Sequence, residues 1–170
     1  MFDITLIVMG KLKEKFYLSA AEEYQKRLKG YCSFKIIELP EHRLPEDPSP
    51  AEIQAGLDKE AELIFQKIPK NSWLCIFTPE GKILSSEEFA GKLADVKNSG
   101  KSSACFLIGS SFGISQKVKD KADFRLSMGK MTFPTIWRGS WCSSRSTERR
   151  PSRRAASITS DPLHMVFHVL

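Results

Sequence analysis

Residues 104–113 read ACFLIGSSFG, and this stretch decides the fold class. Five consecutive apolar residues, 104–108, have neither the spacing of a helix face nor the alternation of a half-exposed strand. A run this short and this uniformly apolar reads as a strand buried on both faces. Gly109 closes it and opens a loop to Gly113, followed by a short helix over about 115–121 and a brief strand around 124–126. Strand, loop, helix and strand in that order is the repeating unit of a parallel sheet.

The same punctuation holds upstream. DITLIVM (3–9), SFKIIEL (33–39) and WLCIF (73–77) are three more strands. Between the first two, Tyr17, Ala21, Tyr24 and Leu28 mark one apolar stripe of a helix that Gly30 ends. The proline-bearing segment 40–48 continues neither element. Ser49, with Pro50 at the first helical position and Glu52 three residues after the cap, announces a second helix whose expected core stripe is Ile53, Leu57, Ala61, Ile64 and Ile68. Ser85 with Glu88 repeats the capping box, and Phe89, Leu93 and Val96 face inward from a helix that Gly100 stops. The pattern predicts one α/β domain with a mostly parallel sheet flanked by helices.

Composition bounds the rest. At 170 residues and 41% hydrophobic content, the chain can bury one sizeable core. No run approaches the eighteen or so apolar residues of a membrane span, and 4–9 is too short for a signal-peptide core, so the expectation is a soluble, cytoplasmic protein without a membrane partner. Cys32, Cys75, Cys105 and Cys142 are widely spaced and have no histidine cluster near them, so they read as free thiols and no metal site is expected. The net charge of +6 suits a phosphate-rich partner. It is unevenly spread: residues 1–134 carry +2, and 135–170 carry +4.

Ligands of α/β proteins sit beyond the carboxyl ends of the strands. Three segments occupy that position: 78–82 (TPEGK), 109–113 (GSSFG) and 127–134 (SMGKMTFP). Neither a G-x-G-x-x-G fingerprint nor a P-loop is present, which argues against a dinucleotide or a nucleoside triphosphate. Together with the opening VMGKLKEKF, EYQKRL and the IGSSFG loop, the run LSMGKMTFP resembles the RlmH-type methyltransferases of the SPOUT superfamily, over 1–134.

That resemblance implies a trefoil-knotted sheet, a rare exception to unthreaded topology, and a homodimer. It implies methylation, with S-adenosyl-L-methionine, of N3 of a pseudouridine in 23S ribosomal RNA of the large subunit or whole ribosome. By position, Phe77, Gly109, Met128, Gly129, Lys130, Met131, Thr132 and Phe133 would line the cofactor pocket. Glycines admit close approach of the main chain, and Met and Phe offer soft apolar surface. Ser110 stands where the family usually has a second glycine.

The catalytic residues of the family lie on a C-terminal helix with an E-Q-x-Y-R-A signature and a closing Tyr-His pair, and no counterpart follows Pro134. Residues 135–170 lose both periods and are rich in Ser, Arg and Thr. If 133–138 were encoded TTC CCC ACC ATC TGG CGC, one added C gives FPHHLA, and the same shift through 149 allows ARVMVLEQIYRA. The expected organisation is a methyltransferase domain over 1–134 without its closing helix, and a frame-shifted tail over 135–170 without stable packing. On that reading the catalytic residues are unknown and the chain has little or no activity. The alternative is a non-catalytic RNA-binding remnant whose Arg138, Arg145, Arg149, Arg150, Arg153 and Arg154 contact phosphates.

Overall fold

A computed structural model describes residues 2–10, 22, 23, 25, 26, 30 and 32–129. Most of the helix expected over 13–28, the run 130–133 and the whole tail therefore lie outside the described residues.

Five strands, β1 (Asp3–Met9), β2 (Ser33–Leu39), β3 (Ser72–Ile83), β4 (Ser103–Ile108) and β5 (Phe124–Ser127), form one sheet in the order β2-β1-β4-β3-β5. Every pairing is parallel. Among the described residues, three complete helices lie between later strands: α1 (Pro50–Lys67), α2 (Ser86–Asn98) and α3 (Gln116–Lys121). The α/β reading is correct. The chain beyond Gly129, and with it the expected trefoil knot, lies outside the described residues.

The uniformly apolar strands are explained by two cores, one on each face. Successive strand residues point to opposite sides. Ile4, Leu6, Val8, Trp73, Cys75, Ala104 and Phe106 join Phe89, Leu93 and Val96 of α2 in one cluster. Ile7, Met9, Leu74, Ile76, Cys105 and Leu107 join Ala61 and Ile64 of α1 and Val118 of α3 in the other. Cys32, Cys75 and Cys105 are free and buried, as expected.

Both capping boxes are formed: the Ser49 hydroxyl accepts from the Glu52 N–H and the Ser85 hydroxyl from the Glu88 N–H, with each glutamate answering the cap backbone. The inward stripe of α1 differs from the expected one. Gly56, Glu60, Ala61 and Ile64 are its buried residues, while Ile53, Leu57 and Ile68 are half-buried. The stripe is displaced because the 40–48 segment lies against α1: a Cβ at Gly56 would meet His42 at 3.1 Å and Leu44 at 3.2 Å.

One element is longer than its apolar run. The strand expected over 73–77 continues to Ile83. Leu126 pairs first with Phe77 and again with Lys82, so 78–81 is an irregularity within the β3–β5 ladder. Gly81 makes that possible. A Cβ there would stand 2.5 Å from the Leu126 carbonyl carbon and 2.7 Å from its nitrogen, contacts that only glycine avoids.

Candidate functional site

The middle of β3 and the carboxyl ends of β4 and β5 open onto a cleft of about 280 Å³. Three segments build its wall: 77–79, 108–111 with Gly113 and Ile114, and 126–129. None of these lining residues is charged. Such a wall suits a ligand recognised through main-chain groups and apolar contact.

Each segment is fixed by its own bonds. The loop after β4 is a tight turn in which Ser110 N–H donates to the Gly113 carbonyl at 3.1 Å and Gly113 N–H returns to Ser110 at 2.9 Å. Gly109 lies beneath it. A Cβ there would meet Ile114 Cγ1 at 2.4 Å and the Gly113 carbonyl oxygen at 2.5 Å. Its lack of a side chain thus lets the turn fold back on the strand, in addition to leaving the main chain open to the cleft.

The turn is anchored to α3 and α1. Ser115 caps α3 and donates its hydroxyl to Asp58 at 2.9 Å, and Lys117 pairs with the same carboxylate at 2.9 Å. Those two partners, Lys117 first, hold the Asp58 carboxyl below its ordinary range. The β3 irregularity is tied to the same helix by Glu80, whose carboxylate receives Lys119 at 2.6 Å and is likewise held low. The third segment depends on β5. The Asp123 carboxylate accepts the Leu74 N–H at 2.8 Å, and Asp123 N–H donates to the Leu74 carbonyl at 2.9 Å. Beyond the strand, the Ser127 hydroxyl donates to the Gly129 carbonyl at 2.9 Å.

Four of the residues expected at a cofactor site, Phe77, Gly109, Met128 and Gly129, come together on this wall. Lys130, Met131, Thr132 and Phe133 lie outside the described residues. Thr78, Ile114 and Ser127 also line the cleft, although no motif singled them out. Thr78 is buried and its hydroxyl finds no hydrogen-bond partner among the described residues.

A second group stands behind the wall. Glu60, on α1, is 5% exposed and accepts the His42 N–H at 2.8 Å. Burial raises its carboxyl above the ordinary range, with the nearby Glu41 charge adding to the effect, against the His42 N–H and the Ser110 hydroxyl, which favour the charged form. Glu41 in turn accepts the Ser111 N–H at 3.4 Å. Periodicity could not have flagged Glu60, because a glutamate beside Ala61 reads as the solvated edge of the stripe.

A family model described as predicted SPOUT methyltransferase matches residues 2–136. The chain belongs to the SPOUT methyltransferase family. Within it, the chain is 44% identical over 132 residues to the ribosomal RNA large subunit methyltransferase H of Clostridioides difficile (strain 630), a match covering 78% of this chain and 83% of that protein. It is 41% identical to the protein of the same name from Clostridium botulinum (strain Langeland), over the same shares. To that from Moorella thermoacetica it is 39% identical over 134 residues, 79% of this chain and 84% of that one. These likenesses place the chain in the RlmH branch of the SPOUT enzymes. The all-parallel sheet agrees with that membership, and of the motifs that carried the resemblance the IGSSFG loop and the described start of LSMGKMTFP both line the cleft.

Among the described residues no helix is long and apolar enough to cross a membrane.

Proposed function

We propose that this chain is by descent an S-adenosyl-L-methionine-dependent methyltransferase of large-subunit ribosomal RNA, acting on N3 of a pseudouridine, with the methyl donor bound at the β3–β4–β5 cleft. The observation that carries this reading is the convergence of 77–79, 108–111 with Gly113 and Ile114, and 126–129 on one wall whose described residues are uncharged. The wall fits the cofactor on its own terms. Gly109 leaves no space for a side chain and so keeps main-chain groups at the surface, and Met128, 42% exposed, offers polarisable apolar surface at the rim. When bound, the sulfonium supplies an electrophilic methyl group that is lost in an in-line displacement. The chain's task is alignment: the rigid turn at 110–113 and the β5 terminus hold the donor, and a group outside the cleft must orient the RNA base and receive its N3 proton.

The residues for that second task follow Pro134 in the family. We read 135–170 as translated out of frame after a domain that ends near 134. In support, the family match stops at residue 136, and the alignment with the C. difficile relative leaves about a sixth of that protein unmatched. The chain as written is then poorly active or inactive, and its dimer is impaired.

The test is to express both reading frames. S-adenosylhomocysteine binding by the full chain, measured calorimetrically, tests the cleft. Methyl transfer to ribosomes carrying the unmodified pseudouridine, with sizing in solution, tests the frame. Restoring one cytosine near the Pro134 codon should recover activity and dimerisation. Full activity from the unaltered chain would refute the frame reading, while RNA binding without any cofactor binding would favour a non-catalytic remnant.

A further inference from the structure

Phe112 stands apart from every other phenylalanine among the described residues. Each of the others joins one of the two cores, whereas Phe112 joins neither and is 43% exposed. A ring left in water forgoes the burial that ordinarily retains it, and the middle of a tight turn is more often given to Ser, Gly, Asn or Asp. Packing among the described residues gives no reason for a phenylalanine at this position.

The place of the ring is well defined. Ser110 and Gly113 exchange two main-chain hydrogen bonds, at 3.1 and 2.9 Å, which leaves Ser111 and Phe112 as the tip of the turn. The Ser111 N–H also donates to Glu41 at 3.4 Å, so the tip is tied to the 40–48 segment. Ser110, Ser111 and Gly113 all line the cleft. The backbone on either side of Phe112 is thus part of the wall, and the ring is carried at the margin of the cavity on a support already ordered before anything binds.

We infer that Phe112 is a docking platform on which an unpaired nucleobase of the RNA substrate stacks at the mouth of the cleft. The inference rests on the RNA methyltransferase reading of the site, and it supplies a contact for the substrate where that reading supplies contacts for the methyl donor. The extent of apolar surface selects the partner. Ser111 and Gly113 are exposed and add nothing apolar beside the ring, so the turn presents one flat face and not the contiguous patch of hundreds of Å² that a protein partner covers. A nucleobase needs only one such face, and unpaired bases of RNA are commonly held by stacking on aromatic side chains. The N3 edge of a paired base is also closed to a methyl donor, so the base must leave its helix to react, and a platform at the cleft mouth offsets part of the stacking it loses.

The probe is ribosomes carrying the unmodified pseudouridine. Their affinity for the full chain, in both reading frames, is measured by co-sedimentation at one fixed salt concentration, and S-adenosylhomocysteine affinity by calorimetry. Phe112→Ala should weaken ribosome binding by about five- to a hundredfold. Its S-adenosylhomocysteine affinity and urea midpoint should stay unchanged, because the side chain is exposed and is not among those lining the cleft. Phe112→Trp, larger and flat, should bind ribosomes at least as tightly as the unaltered protein, whereas Phe112→Leu, apolar but not flat, should lose as much as Phe112→Ala. Leucine binding as well as phenylalanine overturns the inference, since apolar contact and not stacking would then be what counts. Undiminished ribosome binding by Phe112→Ala overturns it while leaving the RNA reading intact. So does a Phe112→Ala protein whose only change is its oligomeric state on sizing, which would make the ring a contact between copies. If the unaltered protein binds ribosomes in neither frame, the RNA reading falls and this inference with it.

Discussion

Substituting alanine for Gly109 adds one methyl group at the most closely packed point of the cleft. The new Cβ would lie 2.4 Å from Ile114 Cγ1 and 2.5 Å from the Gly113 carbonyl oxygen. Ile114 is 7% exposed and packed in the core that α1 and α3 share, so its side chain has little room to withdraw. The carbonyl belongs to the turn and accepts the Ser110 N–H. Relief therefore requires the turn to lift, which strains or breaks the two Ser110–Gly113 bonds. Two hydrogen bonds at about 0.5–1.5 kcal/mol each, with about 1–3 kcal/mol for overpacking, give roughly 2–6 kcal/mol. That is a large share of the ~5–15 kcal/mol that holds an ordinary domain together. Urea unfolding should report this loss, and S-adenosylhomocysteine binding should fall at least tenfold in whatever protein remains folded, because the lifted turn carries Ser110 and Ser111 out of the wall. Lys70→Ala, at an exposed position, should change neither quantity. A Gly109→Ala protein with ordinary stability and undiminished affinity would refute the argument.

Gly81→Ala should push β5 away from β3, because the obstructing atoms are Leu126 backbone. The expected cost is about 3 kcal/mol, with weaker S-adenosylhomocysteine binding, and unchanged melting and affinity would contradict it. Asp123→Ala removes the carboxylate that accepts the Leu74 N–H and should destabilise the domain by about 1.5–3 kcal/mol in urea titrations; a loss under half a kilocalorie would show that β5 is held by other means. Burial pushes the Cys75 and Cys105 thiols up to about 12, so at pH 8 only about one molecule in ten thousand carries either thiolate. Iodoacetamide should leave both unmodified in the native chain and label both in urea, as read by peptide mass spectrometry, and rapid native labelling would contradict the burial.

The sheet was legible because burial on both faces forces strands to be apolar throughout, and such runs as 3–9 and 104–108 have no other stable use in a chain this polar. Helix starts were legible at Ser49 and Ser85, where the cap and its answering glutamate are local and need no tertiary information. What sequence could not supply was contact between distant segments. The α1 stripe was displaced toward Gly56 and Glu60 by a 40–48 segment that has no periodicity of its own, and the extension of β3 past Phe77 depends on Gly81 resting against a backbone 45 residues away. The cleft shows the same division. Phe77, Gly109, Met128 and Gly129 came from motif resemblance and stand on one wall, whereas Thr78 and Glu60 are distinguished only by burial, which neither motif nor period records.

The strand order also has a consequence in time. β1 lies between β2 and β4, and its register with β4 pairs Asp3 with Ser103. A nascent chain emerging at about 5–20 residues per second leaves that side of β1 without its partner for roughly 5–20 s. Through this interval the segment 4–9, among the most apolar in the protein, can pair only with β2, and its other edge is a template for any extended chain nearby. Slow translation between the codons for β2 and β4 would lengthen that window, so for this topology the rate of synthesis, as well as the final contacts, governs how much of the protein escapes aggregation.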